Sequence, residues 1–218
     1  MLLNILPSET AEELKLTGHA ELKQFDMVTV LFTDFKGFTQ IAEKMSAKEL
    51  VGELNFLFSK FDEIIAKYPI EKIKTIGDAY MCAGGLPVAN TTNAIDVILA
   101  ALEIQEYMKN RLRSTVYGLQ LNDNSKQETV NWELRIGIHT GPIVAGIVGI
   151  KKFAYDIWGD TVNTASRMES SGEAGKVNIS GSTYELVKDK FNCTYRGKVQ
   201  AKNKGEIEMY FVERVLKA

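Results

Sequence analysis

What most constrains this chain is the order of its apolar runs. Short β-branched runs alternate with longer stretches whose apolar residues fall three and four apart, and two of the short runs meet at a tight Gly77-Asp78. Met27-Val-Thr-Val-Leu-Phe32 reads as a buried strand that stops at Thr33-Asp34, with Gly37 just beyond. Residues 40–67 place Ile41, Met45, Leu50, Leu54, Leu57, Phe58, Phe61, Ile64 and Ile65 on one face of a helix broken near Ser46. Ile70 to Leu86 predicts a hairpin about Gly77-Asp78. Asn90-Thr-Thr-Asn93 can cap a second helix running to about Arg113, and the polar residues 114–130 predict a long loop or arm. Further on, strands are expected at 133–138 and 143–148, joined through His139-Thr-Gly-Pro142. A helix at 161–170, a strand at 177–180, a short helix at 182–190 and strands at 192–200 and 207–214 complete the expectation. Strands interleaved with helices, several of them hairpin neighbours, predict an α+β fold with helices packed on a mixed or antiparallel sheet.

Composition removes several classes of function. With 26 Lys and Arg against 28 Asp and Glu, the net charge is −2, so no bulk cationic surface can hold nucleic acid. No apolar run approaches the roughly 18 residues that span a bilayer. The N-terminus has no basic region or small-residue cleavage site, so no signal peptide is expected. Cys82 and Cys193 make neither a zinc site nor a disulfide framework. A cytoplasmic location is the expectation, on its own or as the cytoplasmic part of a larger, membrane-anchored protein, with no membrane contact by these 218 residues. Residues 1–24 read as a lead-in and 25–218 as one domain.

Three groups of residues carry chemistry. Asp34 closes the first strand and Asp78 sits at the hairpin tip. Alone, each is first of all a turn or cap residue. Together, at the ends of adjacent strands, two carboxylates could hold a hard divalent cation beside phosphates. Asn163 and Arg167 lie four apart and share a helix face, where Arg offers a fixed fork of donors to phosphate oxygens. A solvated face with Arg167 paired to Glu169 explains the same spacing.

Four segments then resemble a known family: Val30-Leu-Phe-Thr-Asp-Phe-Lys-Gly-Phe-Thr39, Ile73-Lys-Thr-Ile-Gly-Asp-Ala-Tyr-Met81, Leu134-Arg-Ile-Gly-Ile-His-Thr-Gly-Pro142 and Tyr155-Asp-Ile-Trp-Gly-Asp-Thr-Val-Asn-Thr-Ala-Ser-Arg-Met168. In order and spacing they resemble the catalytic domain of class III nucleotidyl cyclases. The lead-in resembles the connector from an upstream coiled coil or signalling helix in receptor-type members, so an upstream sensor or regulatory domain is expected. The resemblance implies a ferredoxin-like βαββαβ core with additional strands and helices, and a head-to-tail homodimer with two composite sites. It implies two Mg²⁺ or Mn²⁺ ions per site on Asp34 and Asp78, with the backbone carbonyl of Phe35. It gives Arg135 and Lys204 to the phosphates, and Asn163 and Arg167 of the other protomer to the ribose and the α-phosphate. Asn203 stands where the family usually has Gly in the segment around Lys204.

Lys74 and Asp156 match the two positions that read the purine edge in this family. An ammonium only donates and a carboxylate only accepts, so the pair complements the N1 acceptor and N6 donor of adenine. Family members that use GTP usually carry Glu and Cys there. The resemblance therefore implies an adenylyl cyclase acting on ATP. A guanylyl or mixed-specificity cyclase, or a catalytically silent nucleotide-binding regulatory domain, are the alternatives.

Overall fold

The computed structural model describes residues 6–121, 132–149, 153–201 and 205–216, at 113–121 and 201 by their backbone alone. The elements are α1 (Ser8–Thr17), β1 (Lys23–Phe35), α2 (Phe38–Ala42), α3 (Ala47–Ile65), β2 (Ile70–Ile76), β3 (Ala79–Gly84), α4 (Asn93–Leu121), β4 (Leu134–Ile147), β5 (Tyr155–Trp158), α5 (Asp160–Ser170), β6 (Val177–Ser180), α6 (Gly181–Val187), β7 (Phe191–Ala201) and β8 (Gly205–Val215). One sheet runs β2-β3-β1-β4-β6-β8-β7, with β5 paired to β4 off this path. The β2-β3-β1-β4 stretch, connected through α3 and α4, is the expected ferredoxin-like βαββαβ core. All its pairings are antiparallel, and only β4 with β6 is parallel.

The sheet separates two apolar layers. On one face Leu31, Phe35, Tyr80, Leu134, Ile136 and Ile138 pack against Leu57, Phe61, Val97, Ile98 and Ile104 of α3 and α4. Burying each such side chain stabilises the fold by about 1.5–3 kcal/mol. On the other face Val28, Val30, Phe32, Met81, Ile143 and Ile157 pack with Leu6, Ala11 and Ala165. The lead-in is therefore part of this layer: α1 lies on it, and β1 is already under way at Lys23. The expected break near Ser46 is a capping box, in which the backbone N–H of Ser46 donates to Glu49 and that of Glu49 to Ser46 Oγ.

Three expectations are corrected. The helix expected to end near Arg113 continues to Leu121, so the loop expected over 114–130 does not begin at 114; residues 122–131 lie outside the described residues. The strands expected on either side of His139-Thr-Gly-Pro142 are one continuous strand, β4. Pro142 has no N–H to give, and β1 absorbs it: Val28 pairs with Gly141 and Phe25 with Ile143, so Asp26 and Met27 together oppose Pro142. Tyr155–Trp158, not anticipated as a strand, is β5.

Candidate active site

Alternation along the strands gathers the chemistry on the second face. Val28, Val30 and Phe32 point there, and Asp34 continues the row. Its register partner on β4 is Arg135. The last β1–β3 pair is Thr33 with Tyr80, so Asp34 lies one step further, beside the Gly77-Asp78 turn, where Gly77 takes φ +61°. The adjacency that sequence alone left open is thus present. Asp78 is pushed up to about 6 by burial and by the charge of Asp34, with a hydrogen bond between the two carboxyls adding to the rise. Backbone N–H groups of Asp78 itself and of Phe35 pull the other way. Two crowded, half-buried carboxyls hold a surplus of negative charge that a divalent cation relieves, so these residues fit the ions implied by the resemblance. Among the described residues no group of three or more His, Cys, Asp or Glu side chains forms a metal site. Asp34, Asp78 and the Phe35 carbonyl would thus leave part of any coordination shell to water or phosphate oxygens.

Arg135 is not a solvent-facing strand residue: its guanidinium is held by two carboxylates. Its Nη2 donates to Asp34 Oδ2 at 2.5 Å and its Nε to Glu169 Oε1 at 2.8 Å. Glu169 is a site residue that sequence reading missed, having been considered only as a partner for Arg167. Thr161, Ala165 and Glu169 recur every four residues and are all buried on the inner side of α5, and that spacing was the available signal. Burial pushes Glu169 up and Arg135 pulls it down, while Asp34 and Asp78 push it up further, leaving it at about 7.

Gly137, two residues along β4 from Arg135 and on the same face, sets this contact. A Cβ there would lie 1.8 Å from Glu169 N and 2.3 Å from its Cα, so helix backbone rests directly on strand backbone. No rotamer relieves such a clash. Gly137→Ala is therefore expected to cost more than the usual 1–3 kcal/mol of overpacking, about 3 kcal/mol or above. Urea unfolding checks this; a change below about 1 kcal/mol would mean that α5 is not pinned by this approach.

Lys74 reaches the same face through a bulge. Lys72 pairs with Cys82 and Lys74 with Met81, leaving Ile73 as an extra residue. Cys82 and Met81 belong to opposite layers, so the two lysines point opposite ways. Lys72 bonds Asp62 of α3, and Lys74 Nζ meets Asp156 Oδ2 of β5 at 2.5 Å. Asp156 also accepts from the N–H of Ile157 at 2.9 Å. From β5 the chain enters α5, whose Asn163 is exposed and whose Arg167 is half-buried. Neither side chain has a hydrogen bond or ion pair among the described residues, so Arg167 is not paired with Glu169. Lys204 lies outside the described residues. His139 Nδ1 is 2.7 Å from Ser180 Oγ in a hydroxyl network.

The profile described as "Adenylate and Guanylate cyclase catalytic domain" matches residues 20–214. The chain belongs to that family. This cyclase domain is 40% identical over 217 residues to Guanylate cyclase 32E of Drosophila melanogaster; the match covers 98% of the chain and 18% of that protein's length. Among solved structures, the catalytic core of a rhodopsin-guanylyl cyclase with converted specificity, in complex with ATPαS, is 36% identical with a TM-score of 0.77, covering 90% of this chain and 100% of the other. The adenylyl cyclase CyaB from P. aeruginosa is 31% identical with a TM-score of 0.79, covering 89% and 96%. The cyclase domain contains no helix long and apolar enough to cross a membrane among its described residues.

Proposed function

We propose that this domain converts ATP to 3′,5′-cyclic AMP and pyrophosphate. The observation that supports the adenine choice is the Lys74–Asp156 pair on the site face of the sheet. It sets a donor-only group beside an acceptor-only group, which suits N1 and N6 of adenine; guanine has N1–H and O6 and reverses both. The ribose 3′-oxygen bonds to the α-phosphorus, the bond to the pyrophosphate oxygen breaks, and the 3′-hydroxyl proton leaves. Two Mg²⁺ or Mn²⁺ ions held by Asp34, Asp78 and the Phe35 carbonyl would supply Lewis acidity at the 3′-oxygen and the phosphates. Arg135 and Lys204 bind phosphate oxygens. Asn163 orients the ribose, and Arg167 faces the negative charge that grows on the α-phosphate.

Asn163 and Arg167 serve the site of a second copy. Both lie on the outer side of α5 without a hydrogen-bond or ion-pair partner among the described residues, which suits a head-to-tail homodimer with two composite sites. Because the chain spans a fifth or less of the curated relatives it matches, an upstream sensor or regulatory domain is part of this proposal. So is a cytoplasmic setting, with neither nucleic acid nor membrane as a partner.

Guanylyl activity is the second reading, favoured by relatives named guanylate cyclases at 38–40% identity. Whole-chain identity reports mostly on the scaffold, whereas the base is read by very few side chains. The test is product formation from ATP and from GTP with Mn²⁺. Cyclic AMP is expected to form at least about tenfold faster, since one mismatched base-edge contact costs about 1–3 kcal/mol. Faster cyclic GMP would favour the guanylyl reading, and no product from either would favour the regulatory one.

A further inference from the structure

We propose that Glu169 is a positioning residue for Arg135: it holds the guanidinium by Nε so that the Nη end can pass from Asp34 to a phosphate oxygen of the nucleotide. This rests on the reading of Asp34 and Asp78 as the carboxylates for the divalent ions. Arg135 joins two carboxylates through one rigid plane, Glu169 at Nε and Asp34 at Nη2. The lone pair of Asp34 Oδ2 that accepts from Arg135 is not available to a cation. When Asp34 turns to an ion, Nη2 loses its partner in a half-buried place, where an unpaired charge is costly. Glu169 keeps the guanidinium paired through that exchange and leaves the Nη fork pointing into the site.

The anchor itself is fixed. Glu169 is 7% exposed, and its backbone lies on Gly137 with no room for a side chain between them. Asn178 Nδ2 donates to the carbonyl of the preceding Met168 at 2.7 Å, holding that end of α5 against β6. The contact therefore needs both reach and charge. A carboxylate one methylene shorter on the same pinned backbone falls short of Nε. An amide of the same length reaches Nε without the charge.

Mn²⁺ alone, titrated into nucleotide-free protein at pH 8.5 and followed by the EPR signal of the free ion, tests this together with KM and kcat for ATP and thermal melting. Glu169→Asp is expected to weaken Mn²⁺ binding at least about threefold and to raise KM at least about tenfold, with kcat changed less than KM, because a charged hydrogen bond at the binding end is lost. Glu169→Gln is expected to be milder in both. A Glu169→Asp protein like the parent, with Glu169→Gln impaired, would show that negative charge alone matters and overturn the positioning role. Lowered melting with unchanged Mn²⁺ affinity and KM in both variants would reduce Glu169 to packing and overturn it too. A parent that binds no Mn²⁺, or an Asp78→Asn variant that binds it as well as the parent, would overturn the metal reading and this proposal with it.

Discussion

Asp78→Ala is expected to lower turnover at least about 10³-fold, because losing one carboxylate from a two-carboxylate ion site removes several kcal/mol of transition-state stabilisation. Asp34→Ala should do the same. The fold should survive both. In the metal-free protein Asp78→Ala should even be stabilising at neutral pH, because Asp78 is held at about 6 against an ordinary 3.8, first by burial and then by Asp34. A raised carboxylate pKa means that its ionised form is disfavoured in the folded state. The parent's disadvantage therefore opens as pH rises from 3.8 towards 6 and is level above that. Urea unfolding at pH 4 and pH 7.5, beside a cyclase assay with Mn²⁺, checks both halves. Retention of more than about 5% of activity in either variant would remove the assignment of the ions to this pair.

Lys74→Glu combined with Asp156→Cys is expected to move the ratio of kcat/KM for ATP over GTP by roughly two to four orders of magnitude towards GTP. Each mismatched base-edge contact in a dry pocket costs about 1–3 kcal/mol, and more where a charge is stranded. In the structure the two side chains satisfy one another across β2 and β5. Adenine would interpose between a donor and an acceptor already in place, so little side-chain ordering remains to be done on binding. The introduced glutamate would accept from guanine N1–H and the 2-amino group, and the cysteine would leave no carboxylate facing O6. Some overall activity should be lost, since neighbouring residues stay tuned to adenine. A ratio unchanged within about threefold would mean that Lys74 and Asp156 do not read the base.

Local signals carried much of this architecture. The first strand, the Gly77-Asp78 hairpin, the break at Ser46 and the helix bearing Asn163 and Arg167 were each legible, because β-branched runs, turn residues and four-residue spacing act over a few residues. Features set by pairing partners were not. Gly141-Pro142 looks like a turn until the bulge at Asp26-Met27 on the neighbouring strand accommodates the missing N–H. The bulge at Ile73 reverses the face of Lys74, and nothing local to β2 announces it. The continuation of α4 beyond Arg113 runs through Ser114, Thr115, Val116 and Gly118, poor helix formers whose propensity is only a weak prior. Of the site, Asp34, Asp78, Asn163 and Arg167 could be singled out by residue type and spacing. Lys74, Asp156, Arg135 and Lys204 came from resemblance. Glu169 came from neither, because its importance lies in what Gly137 lets it touch.

Mixing two inactive proteins puts the composite site to its most direct test. In the proposed site, Asp78→Ala chains lack an ion-holding carboxylate, and Asn163→Ala chains lack the ribose contact given to the other copy. In a head-to-tail heterodimer one site collects both defects and the other collects none. An equimolar mixture, in which about half the dimers are mixed and each has one intact site, should recover roughly a quarter of the parent's cyclase activity. No recovery, with mixed dimers demonstrated by two distinguishable tags, would contradict a site built from two chains.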